Sequence, residues 1–169
     1  MPSLKDLKNR IGSVKSTQKI TSAMKMVAAA KLRKAQEQAI ASRPYCSSME
    51  KIVSSLANKL IDNAPELLKG KKEIKKQLLV VFSADRGLCG GFNGSISRAV
   101  KLEVKKSKDF GIETKLLFVG RKSADTLKKD FQQHIVEIVT GNSTNPNYSD
   151  ALSISTKIVD LYQKDEFGS

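Results

Sequence analysis

The sequence predicts an α/β protein with a long N-terminal coiled-coil helix and an incomplete parallel, doubly wound, Rossmann-like domain. Residues 3–43 contain no proline and a single glycine, Gly12, so an unbroken helix is permitted there. After residue 76, short continuous apolar runs alternate three times with helical patterns. Such alternation is typical of a parallel sheet whose strands are joined by right-handed crossover helices.

The N-terminal helix is predicted to begin at Ser3, with Asp6 completing a variant of the capping box. An apolar three-four alternation follows, which is typical of a coiled-coil seam. The seam residues are Leu4, Leu7, Ile11 and Val14. Apolar residues then resume on a shifted stripe from Ile20. We expect residues 1–63 to form this helix, with Pro44 the place of any kink and residues 63–65 its stop.

Residues 64–76 are predicted to be a charged connector, and residues 77–169 a partial α/β domain. The apolar runs 77–82 and 115–119 predict strands buried on both faces, and residues 135–139 are interpreted as a third strand. Residues 94–108, 123–130 and 148–163 predict the helices between and after them. Sheets of this kind usually have four or more strands, so we expect the domain to be incomplete.

The charge is concentrated in the first helix. The formal net charge is +13, and residues 1–43 carry ten Lys or Arg against two acids, or +8. This balance predicts an anionic partner: nucleic acid, an acidic membrane face or an acidic protein surface. Scarce aromatics and the lack of a recognised nucleic-acid-binding signature argue against nucleic acid. No apolar run reaches the roughly 20 residues of a membrane span, so we expect a soluble protein without direct membrane insertion.

The Gly-rich loop at residues 83–93 follows the first strand, where doubly wound folds place ligand loops. Its glycines fit neither a dinucleotide-binding fingerprint nor a P-loop, which favours a structural or interface role. The candidate residues for that role are Asp85, Arg86, Gly87, Leu88, Cys89, Gly90, Gly91 and Asn93. We expect Cys89 to be a small packed thiol rather than a nucleophile. The sequence predicts no catalytic residue, no metal and no cofactor.

Residues 24–35 are rich in alanine and lysine, with Met24, Met26 and Val27 on more than one side of the helix. Small side chains make a slim helix that other backbones can approach closely. Apolar residues on several sides imply burial on several sides. A slim, basic helix contacted from all around suits a shaft inside a sleeve.

Two stretches resemble the gamma subunit of F-type ATP synthases. Residues 7–36, above all 18–31, resemble that family's N-terminal helix, and the Asp-Arg-Gly-Leu-Cys-Gly-Gly-Phe-Asn core of residues 85–93 resembles its first strand-helix loop. The resemblance implies a non-catalytic rotor shaft of the central stalk that couples proton transport to ATP synthesis on the beta subunits. The implied hexamer contacts are Lys19, Ile20, Met24, Lys25, Met26, Val27, Lys31 and Arg33.

The resemblance also implies the partners and the location. The partners would be the alpha3-beta3 hexamer, the epsilon subunit and the membrane c-ring. The location would be the cytoplasmic face of a bacterial inner membrane or, as a second choice, the matrix face of the mitochondrial one, and the association peripheral.

The family's final helix and remaining strands have no counterpart in residues 1–169. We therefore expect a fragment, a truncated reading frame or half of a split subunit. Because its apolar seam is exposed, we expect the chain alone to be unstable or to self-associate. Two other classes stay open on the sequence: a small nucleotide-binding α/β protein with a basic helical arm, and a basic nucleic-acid binder.

Overall fold

The computed structural model describes residues 3–59, 65–71, 73–141 and 146–169. The chain divides into two compact units, Met1–Ala64 and Pro65–Ser169, which are described separately here. The described residues of the first unit form one helix, and the second is the α/β unit.

Helix α1 spans Leu4–Lys59, 56 residues, which corresponds to a length of about 84 Å at 1.5 Å per residue. The predicted capping box is present: the Asp6 amide donates to Ser3 Oγ at 3.3 Å, and the Ser3 amide donates to Asp6 Oδ2 at 3.1 Å. Pro44 lies inside the helix and does not end it. The predicted stop at residues 63–65 falls largely outside the described residues.

The second unit contains a three-stranded parallel sheet in the order β1-β2-β3. The strands are β1 (Lys76–Phe82), β2 (Glu113–Val119) and β3 (Ile135–Val139). The helices are α2 (Glu66–Lys69), α3 (Phe92–Asp109), α4 (Arg121–Phe131) and α5 (Tyr148–Gln163), and a 3₁₀ turn covers Gln132–His134. The predicted fold class, a long helix followed by a partial parallel α/β domain, is confirmed.

One face of the sheet carries the core. The strand residues of this face pack with apolar residues of α3 and α4, and Leu116, Phe118, Ala124 and Leu127 are fully buried. Burial of each large side chain of this set, Leu116, Phe118 and Leu127, contributes roughly 1.5–3 kcal/mol to folding. Because strand side chains alternate, Leu78, Val80 and Leu117 face the other side, where α5 lies.

Helix α5 begins with a complete capping box. The Asn147 side chain accepts a hydrogen bond from the Asp150 amide at 3.0 Å, and Asp150 Oδ2 accepts one from the Asn147 amide at 3.2 Å. No helix in the described part of the chain has the length and apolar character needed to cross a bilayer. Residues 3–59, 65–71, 73–141 and 146–169 also contain no cluster of His, Cys, Asp and Glu suited to a metal.

Candidate functional site

The surface of α1 is the first candidate interface. Every side chain from residue 4 to residue 57 is exposed, including Met24 at 52%, Met26 at 66% and Val27 at 56%. Successive residues of an α-helix are about 100° apart around its axis. The seam residues, in about the first three turns, therefore face one side. Ile20, Met24 and Val27 face nearly the opposite side, and Met26 faces a third.

The charge on α1 has little compensation within the helix. Of the two acids in residues 1–43, Asp6 caps the helix start and Glu37 pairs with Arg33 at 2.9 Å. The other basic side chains of this stretch make no ion pair with any described residue. Lys19, Lys25 and Lys31 thus present uncompensated charge beside the exposed methionines. A surface of this kind suits an acidic partner with apolar pockets.

The predicted hexamer contacts therefore lie together on about four turns of one exposed helix, over more than one side. Their contact with another subunit stays a prediction.

The loop after β1 is the second candidate interface, and Asp85 anchors it. Asp85 Oδ1 accepts a hydrogen bond from the Arg121 amide at 3.1 Å, and Oδ2 accepts one from the Gly141 amide at 3.0 Å. Arg121 follows β2 and Gly141 follows β3. One carboxylate therefore ties together the segments that leave all three strands.

Ser83 also joins the loop after β1 to the segment after β2 by hydrogen bonds. Its hydroxyl donates to the Gly120 carbonyl at 3.1 Å and accepts from the Ser123 amide at 3.3 Å. Gly120 has φ +105°, and an added Cβ would lie 2.0 Å from the Ser83 carbonyl oxygen. Only glycine fits at this position.

Asn93 closes the loop from its far end. Its Oδ1 accepts from the Ala84 amide at 3.1 Å, and its Nδ2 lies 3.0 Å from Cys89 Sγ. The prediction of a packed Cys89 thiol is wrong, since Cys89 is exposed. The reason is that the loop turns its middle outward: Leu88 is 96% exposed with a left-handed φ of +63°.

The remaining predicted loop residues divide by position. Arg86 and Gly87 are exposed, as are Leu88 and Cys89, where the loop turns outward. Gly90 adopts a left-handed φ of +58°, and Gly91 precedes α3. We refer to residues 86–89 as the tip. Asp85 and Asn93 on either side hold the tip in place, and all four of its residues are exposed.

A groove of about 490 Å³ lies beside this loop, between the sheet and α5. Its walls are mainly apolar and include Phe82, Val119, Ile154 and Ile158. Its carboxylates, Asp85 and Asp150, both accept hydrogen bonds from backbone amides. An apolar groove flanked by carboxylates disfavours a phosphate group, so the nucleotide-binding alternative gains no support.

Sequence reasoning missed Lys71, which it placed in a solvated connector. The Lys71 side chain is 14% exposed and pairs with Asp165. Its ammonium also donates to the carbonyls of Tyr162 at 3.4 Å and Phe167 at 3.3 Å, and lies 4.6 Å from the centre of the Tyr162 ring. The hydrogen bond to Asp165 raises the pKa of Lys71 above its ordinary value of 10.5, while desolvation opposes this. The chain's lysine-rich composition gave no signal that singled out this residue.

The basic helix α1 is exposed along its length. In the α/β unit, the loop after β1, where such folds place ligand loops, is closed by its own hydrogen bonds. Together these features indicate a subunit of a larger assembly. The chain belongs to the ATP synthase family, whose model matches residues 3–169.

The similar curated proteins are gamma chains. The chain is 46% identical to the ATP synthase gamma chain of Jannaschia sp. (strain CCS1) and 48% identical to that of Pelagibacter ubique (strain HTCC1062), over 99% of its own length in both cases. It covers only 57% and 58% of those two proteins.

Among solved structures, the chain is similar to one from the central stalk and c-ring of the Tetrahymena thermophila mitochondrial ATP synthase. The TM-score is 0.63 at 30% identity, with 82% of this chain and 58% of that chain covered. In the sequence and the structure comparisons alike, the chain spans a little under three fifths of the length of the protein it matches.

Proposed function

We propose that this chain serves as the central-stalk gamma subunit of a proton-translocating F-type ATP synthase. It would act as a rotor shaft without catalytic residues of its own. The observation that carries the proposal is α1, a basic helix whose apolar side chains are exposed on three sides. A helix that turns inside a ring of subunits must present contacts in every direction, whereas a helix on a domain surface needs one apolar stripe.

The electrostatics of α1 fit an acidic ring. Lys19, Lys25 and Lys31 are free of ion pairs with described residues, so an approaching acidic loop meets charge that is not already neutralised. Complementary potentials of this kind fix the register of an interface and speed association more than they add affinity. We infer that acidic segments of the beta subunits contact this part of α1, and that rotation of the uneven surface changes the state of their nucleotide sites.

The α/β unit would provide the other contacts. We propose that its surface docks the epsilon subunit and the membrane c-ring, which would place the chain at the cytoplasmic face of a bacterial inner membrane as a peripheral component. The tip at residues 86–89 is the best candidate for a rigid subunit contact, because its outward side chains rest on a loop held by Asp85 and Asn93.

The test is capture of an alpha3-beta3 hexamer, such as that of Pelagibacter ubique, by the full 169-residue chain. We expect a stable complex that weakens as salt rises from low to physiological strength, because screening reduces the attraction between exposed charges. Random-sequence duplex DNA and ATP serve as competitors. Failure to bind the hexamer would overturn the proposal. Loss of the complex to DNA at equal concentration would overturn it in favour of a nucleic-acid binder.

A further inference from the structure

Helices α3 and α4 form a basic face on the α/β unit. Both pack on the same side of the sheet, over the core. Together they contain nine Lys or Arg and four acids, a net charge of +5. Helix α5, on the other side of the sheet, contains one Lys and two Asp. Because the charge is unevenly distributed, an anionic surface would attract the side that carries α3 and α4.

Most of the charge on this basic face is uncompensated. Three of its nine cations pair with acids of the same two helices: Lys101 with Asp130 at 2.6 Å, Lys106 with Glu103 at 3.4 Å and Arg121 with Asp125 at 3.6 Å. The other six make no ion pair with any described residue, and none of them is buried. They are Arg98, Lys105, Lys108, Lys122, Lys128 and Lys129.

A large apolar side chain lies at the centre of the α3 surface. Leu102 is 62% exposed, whereas Val100 and Val104 are buried in the core. Both valines lie about 200° around the helix axis from Leu102, so Leu102 points directly away from the core. Its neighbours one turn away include the unpaired Arg98 and Lys105. Leu102 is therefore an apolar residue surrounded by cations.

Phe110, at the end of the same helix, is a second such residue. Its side chain is 81% exposed, and it lies about 12 Å along the helix from Leu102. One exposed apolar residue is ordinary at a protein surface. Two large ones among unpaired cations are typical of helices at a bilayer surface, where basic side chains meet lipid phosphates and bulky apolar ones enter the acyl boundary.

We propose that the basic face formed by α3 and α4 binds the anionic headgroups of a lipid membrane. The cations attract the headgroup phosphates, and Leu102 and Phe110 enter the boundary between headgroups and acyl chains. A bilayer is favoured over an acidic protein because it needs no matched pockets for side chains that project singly. The contact is peripheral. It does not depend on the rotor role, since no other subunit takes part in it.

The test needs a reporter on the basic face, because α1 is also basic and would contribute to any total binding to anionic vesicles. The chain contains no Trp, so Phe110→Trp introduces a single fluorescent reporter at an exposed position. Tyr148→Trp is the matched control. Tyr148 is 77% exposed at the start of α5, on the other side of the sheet.

The probe is vesicles of phosphatidylglycerol and phosphatidylcholine, with bromine atoms on the upper part of the acyl chains. We expect the emission of the full-length Phe110→Trp chain to shift to shorter wavelength and to be quenched. Vesicles of phosphatidylcholine alone should have little effect, and Tyr148→Trp should be unchanged by either. Adding Lys105→Glu to Phe110→Trp should raise the lipid concentration for half the effect by about tenfold at low salt, because it reverses a charge that faces the phosphates.

Three results would overturn the proposal. The first is emission from Phe110→Trp that anionic vesicles leave unchanged, or that Lys105→Glu does not affect. The second is equal quenching of the two reporters, which would mean that this face has no preference for lipid. The third is an equal shift with soluble poly-glutamate in place of vesicles, which would assign the face to an acidic protein.

Discussion

The carbonyl oxygen of Ser83 lies 2.0 Å from the position that a Cβ on Gly120 would occupy. The loop after β1 and the turn after β2 therefore touch backbone to backbone. This contact brings Asp85 within reach of the Arg121 amide and the Ser83 hydroxyl within reach of Ser123.

Gly120→Ala is expected to destabilise the α/β unit by about 3 kcal/mol, because the new methyl group meets backbone atoms that cannot move aside. Urea unfolding followed by circular dichroism measures the change. Gly111→Ala is the matched control, since Gly111 also has a positive φ, +73°, but open space around it. It should cost only about 1 kcal/mol for the strained backbone. Equal losses in the two variants would contradict the steric explanation.

Asp85→Asn is expected to destabilise the same unit by about 1–3 kcal/mol. An amide side chain keeps one acceptor oxygen and so leaves the amide of either Arg121 or Gly141 without its partner. Faster hydrogen exchange at one of these two amides would locate the loss. Asp125→Asn, which weakens only the exposed i,i+4 pair with Arg121, should change stability by less than about 0.5 kcal/mol. The idea fails if both variants unfold at the same urea concentration.

Lys31→Glu is expected to weaken binding to an alpha3-beta3 hexamer by about tenfold at low salt, because it reverses a charge that faces an acidic partner. Lys105→Glu is the control: it makes the same charge change at an exposed residue of α3, which is not among the proposed hexamer contact residues. Surface plasmon resonance at two salt concentrations measures both. If the two variants bind equally well, α1 does not form the charged interface.

Ile11→Ser is expected to reduce self-association of the 169-residue chain. Ile11 is 55% exposed at the centre of the seam, and an apolar helix stripe in water favours pairing with a second helix. Analytical ultracentrifugation over a concentration series detects the change. Asn9→Ser, on the opposite side of α1, should leave the association unchanged. A wild-type chain that sediments as a monomer at all concentrations would remove the basis for this prediction.

The elements of the fold could be predicted because their signals are local. Apolar runs gave all three strands, and the loop composition before Tyr148 gave the start of α5, where Asn147 and Asp150 form the capping box. The exposed basic helix could be predicted for the same reason, since its spacing and charge lie within one continuous stretch.

The hydrogen bonds that hold the candidate site could not be predicted, because each joins residues that are distant in sequence. Asp85 meets Gly141 across 56 positions, and Lys71 meets Phe167 across 96. The error on Cys89 has the same origin. Whether its thiol packs inward depends on how Asn93 turns the loop, and no spacing in residues 83–93 indicates that.

The two hydrogen bonds of Asp85 have a mechanical consequence. A load applied at residues 86–89 is shared, through the Asp85 carboxylate, with the backbones that follow β2 and β3. We therefore expect the tip to be stiffer than a loop that lacks these two hydrogen bonds.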